Sequence, residues 1–328
     1  MNHSIEISII IPIYNASTTL QACFESVLNQ DFPHWEALLI DDGSNDNSYE
    51  VGLELAKKDS RIRVFQQDHQ GVSAARNLAL SKAQGKYVCF VDADDTIEPN
   101  YLSSMYAQRD YDMVICGYYV DTYDNNILSC RKEYTPDTIK INDFTNKSVL
   151  INLFESGMIN INCNKLLKAS IIINNNISYK NVPINEDYMF MVKYLTHSNS
   201  LCSIQNHLYH WNRTIGIKTG VDSLPANIID IYNEAHILTT RFFHNETIAN
   251  RILFFSYEII IYKYLKLLHS SMEEKKCVYK KLKEIHKNSL VRQSIMSHKP
   301  QSIGEYLTYL PIKWGLFRTL YIINKILM

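Results

Sequence analysis

The sequence predicts an α/β protein that continues into a helical C-terminal part. Over residues 7–91, short apolar runs rich in β-branched residues alternate with helical patterns. Such strand–helix alternation is typical of parallel sheets. From about residue 225 the apolar spacing is helical throughout. We therefore predict an α/β domain over residues 1–220 and a helical extension over residues 221–328.

The first predicted elements are a strand over Ile7–Ile13 and the helix that follows it. Pro12 is expected to stop the ladder near the end of the strand, because proline has no N–H. An apolar stripe then recurs at helical spacing, and Ser17 or Thr18 is the expected cap. The stripe consists of Leu20, Cys23, Phe24, Val27 and Leu28.

Three further strands and two helices complete the alternating part. The predicted strands are Trp35–Ile40, Ile62–Gln66 and Tyr87–Val91, and the helices run through Lys57 and over Gly71–Ala83. Asp46 or Ser48 is the expected cap of the first of these helices. The polar groups that follow the strands are Tyr14-Asn15, Asp41-Asp42 and Asp92–Asp95. Because ligands of such sheets bind beyond the carboxyl ends of the strands, we expect these groups to converge.

Less regular segments follow. The predicted elements are a strand over Asp112–Tyr119, a hairpin over Tyr118–Tyr134 around Asp124-Asn125-Asn126, a helix over Ser148–Leu153, a short helix near Asn164–Ser170 and a helix over Glu186–Leu195.

The composition indicates a folded protein and excludes a globally basic nucleic-acid-binding protein. The chain is 46% hydrophobic and has a net charge of −1. Residues 1–220 hold 18 Lys and Arg against 25 Asp and Glu, whereas residues 263–328 hold 13 against 4. This asymmetry predicts a polyanionic partner or a membrane surface for the tail. Seven scattered cysteines favour free thiols in a reducing cytosol. We expect neither a signal peptide nor a transmembrane helix.

The most informative stretch is Val88–Asp95, an apolar strand that ends abruptly in three carboxylates. That much negative charge beside an apolar core requires a counter-cation. Hard divalent cations take oxygen ligands and complete their shell with substrate phosphates. The stretch therefore predicts an enzyme that acts on a metal–nucleotide complex.

Five motifs occur in the order and spacing of a known family. They are Ser8–Asn15 (SIIIPIYN), Ile40–Ser44 (IDDGS), Gly71–Asn77 (GVSAARN), Asp92–Asp95 (DADD) and Asn185–Asp187 (NED). Over residues 5–215 the chain resembles the family 2 glycosyltransferases. The resemblance implies the GT-A fold, a Rossmann-like mixed sheet, and inverting transfer from a nucleotide sugar.

The resemblance implies a role for each residue of Asp92-Ala93-Asp94. Asp92 and Asp94 face the same way on an extended chain, with Ala93 between them. By resemblance, Asp92 helps to hold the ribose and Asp94 binds Mn²⁺ or Mg²⁺ on the diphosphate, and both are candidate metal ligands. Asp95 is either a ligand or a structural acid. The metal neutralises charge on the leaving nucleoside diphosphate.

The same resemblance implies a nucleotide pocket. Its candidate residues are Pro12, Tyr14, Asn15, Asp41, Asp42, Arg76, Asp92, Ala93 and Asp94. Asp41 is expected to accept a hydrogen bond from the base, most often uracil N3–H, while Asp42 organises the turn. Tyr14 stacks on the base beside the Pro12 backbone. Arg76 is either near the base and phosphates or a solvated side chain.

Glu186 and Asp187 open a predicted helix, where acidic residues are favoured by the helix dipole. The resemblance implies that Asp187 is the general base that deprotonates the acceptor hydroxyl, with Glu186 supporting the acceptor site. That chemistry needs a carboxylate near the nucleophile and away from the metal.

Two segments remain open at this point. Tyr209–Arg213 follows a probable strand, and its aromatic rings either stack on a sugar or pack on the domain; His210 is either a metal ligand or a structural residue. Glu305–Met328 mixes aromatic, aliphatic and basic residues. Such a segment lies at a membrane interface, packs on the preceding helices or forms a dimer contact.

The sequence thus predicts a cytoplasmic, metal-dependent, inverting glycosyltransferase that uses a nucleotide sugar, most simply a UDP-sugar. Its expected acceptor is a surface glycan or lipid-linked oligosaccharide, such as O-antigen, capsule or lipooligosaccharide. Membrane contact at the cytoplasmic face and homo-oligomerisation are open options. The alternatives are a nucleotide-sugar-binding protein without catalysis and a nucleotidyltransferase. The latter needs a Gly-rich phosphate loop with a lysine, and Ile13–Thr19 contains neither residue type.

Overall fold

The computed structural model describes residues 4–215, 227–266, 272–300, 303–320 and 322. The chain divides into two compact units, Met1–Thr219 and Gly220–Met328. Within the described residues, all strands belong to the first unit and the second unit is helical.

The first unit is built on one mixed sheet. Its strands are β1 (Ile7–Ile13), β2 (Trp35–Asp41), β3 (Ile62–Gln66), β4 (Tyr87–Phe90), β5 (Thr96–Ile97), β6 (Met113–Asp124), β7 (Ile127–Tyr134), β8 (Lys140–Ile141), β9 (Lys165–Lys168) and β10 (Leu201–Thr214). The order is β3-β2-β1-β4-β9-β6-β10-β5, with β7 on β6 and β8 on β10. The strands β3, β2, β1 and β4 are parallel, and β9 runs antiparallel to β4 and β6. The predicted mixed α/β sheet is confirmed.

Helices connect and cover the strands. Those of the first unit are α1 (Leu20–Leu28), α2 (Ser48–Lys58), α3 (Val72–Lys82), α4 (Tyr101–Tyr106), α5 (Ile151–Glu155), α6 (Ala169–Asn174) and α7 (Glu186–Thr196). A 3₁₀ turn at Lys147–Leu150 precedes α5, where a helix is predicted. All seven residues of β1 and of β2 are buried, as expected of central strands covered on both faces.

The starts of α1 and α2 differ from the predicted caps. At α2 the cap position is Asn47, which makes no side-chain cap bond, although Asp46 Oδ1 accepts from the Ser48 N–H at 3.0 Å. Neither Ser17 nor Thr18 caps α1, which begins after Thr19 and has no side-chain cap bond. The backbone N–H groups before α1 are instead bonded from the neighbouring loop, where Ser48 Oγ accepts from Ala16 and Asp46 Oδ2 accepts from Ser17. Two loops therefore brace each other at this edge of the sheet, and a cap local to α1 is unnecessary.

Pro12 does not stop the ladder on the β2 side. It pairs in register with Ile40, and β1 continues to Ile13. On the β4 side, pairing ends at Ile10. The strand tolerates Pro12 because proline loses only its N–H and keeps its carbonyl acceptor.

Two later predictions are wrong in type. The helix expected near Asn164–Ser170 is the strand β9 followed by α6, and β9 fills the gap between β4 and β6. The segment Tyr209–Arg213 does not follow a strand but lies inside β10. By contrast, the β6–β7 hairpin is confirmed, with Asn125 and Asn126 at φ of 48° and 64° in its turn.

The second unit consists of helices in its described part. They are α8 (Ile228–Phe243), α9 (Glu246–Lys266), α10 (Met272–Lys287), α11 (Ser289–Ser297) and α12 (Ile303–Lys313). Within the described residues, no helix is both long enough and apolar enough to cross a membrane. The end of the segment Glu305–Met328, from residue 323 onward, lies outside the described residues.

Candidate functional site

A small cavity opens where β1 and β2 end. It measures about 150 Å³ and is lined by Pro12, Ile13, Tyr14, Asp42, His69, Val72 and Ala75. Tyr14 is 45% exposed, and its ring stacks on His69 with ring centroids 4.3 Å apart. Two aromatic rings, those of Tyr14 and His69, therefore lie at the cavity. His69 was not among the residues predicted from the sequence. A planar base can stack on such faces.

Asp42 orders the loop that forms one wall of this cavity. Its Oδ1 accepts from the backbone N–H of Gln70 at 2.9 Å, and its Oδ2 accepts from Gly71 at 2.8 Å. Gly43 has φ +68°, and a Cβ there would lie 2.8 Å from the backbone nitrogen of His69. Asp42 thus organises the backbone of the loop before α3, whereas the predicted role was in its own turn.

Asp41 is fully buried and has one acceptor to spare. Its Oδ2 accepts from the Ser44 N–H and from Gln66 Nε2, both at 3.2 Å. Its Oδ1 has no hydrogen-bond partner among the described residues. A buried carboxylate oxygen without a donor is costly. Asp41 is not among the residues that line the cavity, but its chain neighbour Asp42 is, so this unsatisfied acceptor lies one residue from the cavity wall.

Asn15 ties the two strand ends together. It lies in the left-handed region at φ 50°, its N–H donates to Ser44 Oγ at 3.0 Å, and its Oδ1 accepts from the Asn45 N–H at 2.8 Å. These contacts give Asn15 a structural role beside the cavity.

The three carboxylates after β4 have different surroundings. Asp92 is 37% exposed at its side chain and accepts from Arg76 at 3.0 Å. Asp94 is exposed. Asp95 is 1% exposed and accepts from the Tyr209 hydroxyl at 2.5 Å and from the Asn212 N–H at 2.8 Å. Asp95 is therefore the structural acid of the turn, while the carboxylates of Asp92 and Asp94 are accessible to solvent.

The charge of this turn favours a cation. Desolvation and the neighbouring Asp92 raise the pKa of Asp94, and burial raises the pKa of Asp95. Within the described residues, no group of three or more His, Cys, Asp or Glu is arranged to hold a metal ion by itself. Asp92 and Asp94 fit a divalent cation as hard oxygen donors whose remaining ligands come from a phosphorylated substrate.

Arg76 connects this turn to α7. It is 4% exposed, and it donates through Nη2 to Asp92 at 3.0 Å and through Nη1 to Asp187 at 2.8 Å. Burial alone would lower the pKa of Arg76, but the two carboxylates raise it above its ordinary value. Arg76 is therefore not a solvated side chain, and two of its nitrogens are already committed to carboxylates.

Asp187 lies in the first turn of α7, after Asn185 at φ 61°. Its Oδ1 accepts from Arg76 and, at 3.1 Å, from Asn162 Nδ2. Burial raises the pKa of Asp187 to about 7, although Arg76 acts to lower it. Glu186 is more distant, with 3.8 Å between its Oε1 and Arg76 Nη1. A carboxylate with such a pKa is suited to accept a proton near neutral pH.

The sequence reading missed several buried polar residues around this carboxylate. Asn162, 1% exposed, donates to the Tyr179 hydroxyl at 2.9 Å as well as to Asp187. Lys165 is fully buried nearby, on β9. A sequence feature could have indicated these residues. Asn162, Asn164 and Lys165 lie within the otherwise apolar stretch from Ile161 to Leu167, and such residues are unusual in a core.

His210 is not available as a metal ligand. Its Nδ1 lies 2.8 Å from Asp121 Oδ2, and its Nε2 lies 2.8 Å from Glu98 Oε1. Because both ring nitrogens face carboxylates, the metal-ligand alternative is wrong. Its neighbour Trp211 is covered by the Arg213 guanidinium, 3.9 Å from the ring centroid.

A mixed α/β sheet with carboxylates gathered at its strand ends defines the class of GT-A glycosyltransferases. The model of "Glycosyl transferase family 2" matches residues 8–175, and the chain belongs to this family. The predicted family and fold are confirmed, and the protein is an enzyme of the glycosyltransferase class.

Relatives and solved structures agree with this assignment. The chain is 29% identical over 238 residues to the glycosyltransferase GlyG of Streptococcus pneumoniae serotype 4, covering 70% of this chain and 78% of GlyG. It is 27% identical over 297 residues to the cholesterol galactosyltransferase of Borreliella burgdorferi, covering 86% and 81%. The crystal structure of S. aureus TarS 1–349 in complex with UDP-GlcNAc shares the fold at a TM-score of 0.65 and 18% identity, covering 98% and 90%.

Proposed function

We propose that this protein is an inverting glycosyltransferase that transfers a sugar from a UDP-sugar to a hydroxyl group of a growing surface glycan or lipid-linked oligosaccharide. The observation that carries the proposal is the bridge through Arg76, which binds Asp187 through Nη1 and Asp92 through Nη2 and so links the two carboxylates while keeping them on separate nitrogens. The residue that accepts the proton and the turn that holds the UDP-sugar are thereby joined through one buried side chain.

The residues divide the work of the reaction between them. The cavity at Tyr14 and His69 takes the base. Asp41, the residue before the lining residue Asp42, is assigned as acceptor of the base N–H because its Oδ1 has no partner among the described residues. Asp187 takes the proton of the acceptor hydroxyl as that oxygen forms its bond to the anomeric carbon. The bond between the anomeric carbon and the diphosphate oxygen breaks in the same step, and its electron pair leaves with UDP. Attack on the face opposite the leaving group inverts the anomeric configuration.

Asp94 and Asp92 would hold Mn²⁺ or Mg²⁺ at the diphosphate. A bound divalent ion supplies Lewis-acid neutralisation of the leaving group. Asp94 is assigned the main role because it is the exposed carboxylate of this turn, whereas Asp92 is already paired with Arg76.

Structures of similar fold support the choice of nucleotide. TarS 1–349 has been crystallised with UDP-GlcNAc and with UDP, and GalNAc-T7 with UDP, GalNAc and Mn²⁺ at a TM-score of 0.50. The stacking cavity and the spare acceptor of Asp41 are consistent with a uracil base in this chain as well.

Two substitutions test the proposal. Asp187→Asn should lower UDP release from UDP-hexoses in the presence of acceptor by about 100- to 10,000-fold, because the general base is lost, while UDP binding with Mn²⁺ is retained. Asp94→Asn should lower both the UDP release and the binding of UDP with Mn²⁺. Asp124→Asn, at the exposed end of β6, is the matched control. Binding is measured as the rise in melting temperature, since a ligand of the native state stabilises it. Wild-type turnover by Asp187→Asn would overturn the assignment of the base.

We also propose that the C-terminal unit contacts the cytoplasmic face of the membrane. Exposed apolar side chains on and after α12 support this proposal, namely Leu307, Leu310, Trp314 and Leu316. They lie in the part of the chain with an excess of Lys and Arg, as in interfacial helices. Flotation with anionic liposomes should recover the protein, and Trp314→Ser with Leu310→Ser should reduce recovery. Equal recovery of both proteins would contradict the contact.

A further inference from the structure

Lys165 is a buried cation outside the set of residues given a role so far. It is fully buried at the start of β9, where it pairs in register with Ile115 of β6. Its ammonium donates to Met158 O at 2.7 Å, to Ile161 O at 2.5 Å and to Asn164 Oδ1 at 2.7 Å. All three acceptors are uncharged, so these bonds do not neutralise the ammonium.

Burial of this ammonium group destabilises the folded state. Burying an ammonium carries a large desolvation penalty, and burial lowers the pKa of Lys165 to about 8. An apolar side chain at this position would avoid the penalty, as replacements of buried ions by hydrophobic residues show in other proteins. The position therefore calls for an explanation beyond packing.

The three bonds of Lys165 shape one segment of chain. Met158 and Ile161 belong to the loop before β9, and the ammonium draws their carbonyls towards one point. The far end of the loop is fixed to the sheet, because Asn164 Nδ2 donates to Cys116 O at 2.7 Å and the Cys116 N–H donates to Asn164 O at 3.1 Å. The loop over residues 158–164 is thus fastened at both ends.

The same loop delivers Asn162 to the candidate base. Asn162 Nδ2 donates to Asp187 at 3.1 Å and to the Tyr179 hydroxyl at 2.9 Å, so its amide nitrogen is held by two partners. The positive charge of Lys165 also acts on Asp187, in the direction that lowers its pKa. Arg76 holds Asp187 from α3, and Asn162 holds it from this loop.

We infer that Lys165 and Asn162 are positioning residues for the transfer reaction, with Lys165 ordering the loop of residues 158–164 so that Asn162 sets the orientation of the Asp187 carboxylate. This inference rests on the proposed role of Asp187 as the base. Neither residue lines the cavity proposed for the base, whose lining comes from the end of β1 and Tyr14 after it, Asp42 after β2, His69 in the loop before α3, and the start of α3.

The test compares Lys165→Met, Asn162→Ala and their combination in the full chain. Turnover is followed as UDP release from UDP-glucose, UDP-galactose, UDP-GlcNAc and UDP-GalNAc. Each single substitution should lower kcat by about 10- to 100-fold, because small misplacements of a catalytic group cost up to about 100-fold. The affinity for UDP with Mn²⁺ should not change. The double variant should be no slower than the slower single variant, since both act through one contact.

Lys168→Met is the matched control. Lys168 lies three positions further on β9 and bonds Asp110 O and Asp112 Oδ1, each at 2.9 Å. Its loss should lower the melting temperature and leave kcat unchanged. If Lys165→Met does not fold, Asn162→Ala decides on its own, because it removes the contact to Asp187 without exposing the buried carbonyls.

Hydrogen–deuterium exchange separates this inference from the proposed function. In Lys165→Met, exchange over residues 158–164 should rise while exchange over β1 and β2 stays the same, whether or not a tested sugar is turned over. The inference is overturned if exchange over residues 158–164 or kcat stays unchanged in these variants. It is also overturned if the UDP affinity falls in parallel with kcat, or if the effects of the two substitutions multiply in the double variant. If Asp187→Asn loses turnover but the Lys165 and Asn162 variants do not, the inference fails and the proposed function stands.

Discussion

The hydroxyl of Tyr209 gives the sharpest quantitative prediction for this fold. The side chain is fully buried, donates to Asp95 Oδ2 at 2.5 Å and accepts from the Asp92 N–H at 3.2 Å. Tyr209→Phe removes both bonds and retains the ring. Asp95 keeps its bond from Asn212, so the turn is weakened rather than released.

The expected cost follows from these two bonds. A hydrogen bond to a charged group contributes roughly 1.5–3 kcal/mol, and an unpaired buried N–H costs roughly 1–3 kcal/mol. Because the two terms share one hydroxyl and the turn can relax, we expect the free energy of unfolding to fall by about 3 kcal/mol. At roughly 2–4 °C per kcal/mol, the melting temperature should fall by about 6–12 °C.

Differential scanning fluorimetry and urea unfolding measure this change. Tyr134→Phe is the control, since Tyr134 is 36% exposed on β7. UDP binding with Mn²⁺ should weaken in Tyr209→Phe, because the turn that presents Asp92 and Asp94 is less ordered. A melting temperature equal to that of Tyr134→Phe would refute the role given to this hydroxyl.

Three further predictions concern pH and backbone geometry. The kcat/KM for transfer should rise with pH through about 7, because Asp187 accepts a proton only when ionised; a profile flat between pH 5 and 8 would contradict this. Arg131 and His210 lower the pKa of Asp121 against the effect of burial. The stabilisation by Asp121 is therefore present above its unfolded pKa of about 3.8 and is lost as the pH falls through its lower folded pKa. Asp121→Asn should lower the melting temperature at pH 7, and the difference from the wild type should disappear in acid. Gly43→Ala should weaken UDP binding, measured by thermal shift, because its Cβ meets the His69 backbone.

Local patterns were sufficient for the first half of the fold. The strand–helix alternation through β4 rests on apolar periodicity, which depends on near neighbours in the chain. The Asn125-Asn126 turn rests on residues that tolerate positive φ. The short strand β9 was mistaken for a helix because four residues carry too little periodicity to separate the two states.

The contacts within the site were beyond the reach of such patterns. Arg76 and Asp187 lie 111 positions apart, and Tyr209 and Asp95 lie 114 apart. The motifs indicated that Asp187 and Asp92 belong to one site, but not that a buried arginine joins them. Asn162 and Lys165 belong to none of the quoted motifs, and their importance follows only from what the loop contacts in the folded chain.

The bonds from β10 to the carboxylate turn also have a consequence for the order of events during synthesis. The strands β1 to β4 leave the ribosome well before Asn212, whose N–H donates to Asp95 across 117 positions of chain. At roughly 5–20 residues per second, this separation corresponds to roughly 6–23 seconds of translation. During that time the Asp95 carboxylate has neither of the donors that Tyr209 and Asn212 later supply. The turn after β4 can therefore reach its final hydrogen bonding only after β10 has been synthesised.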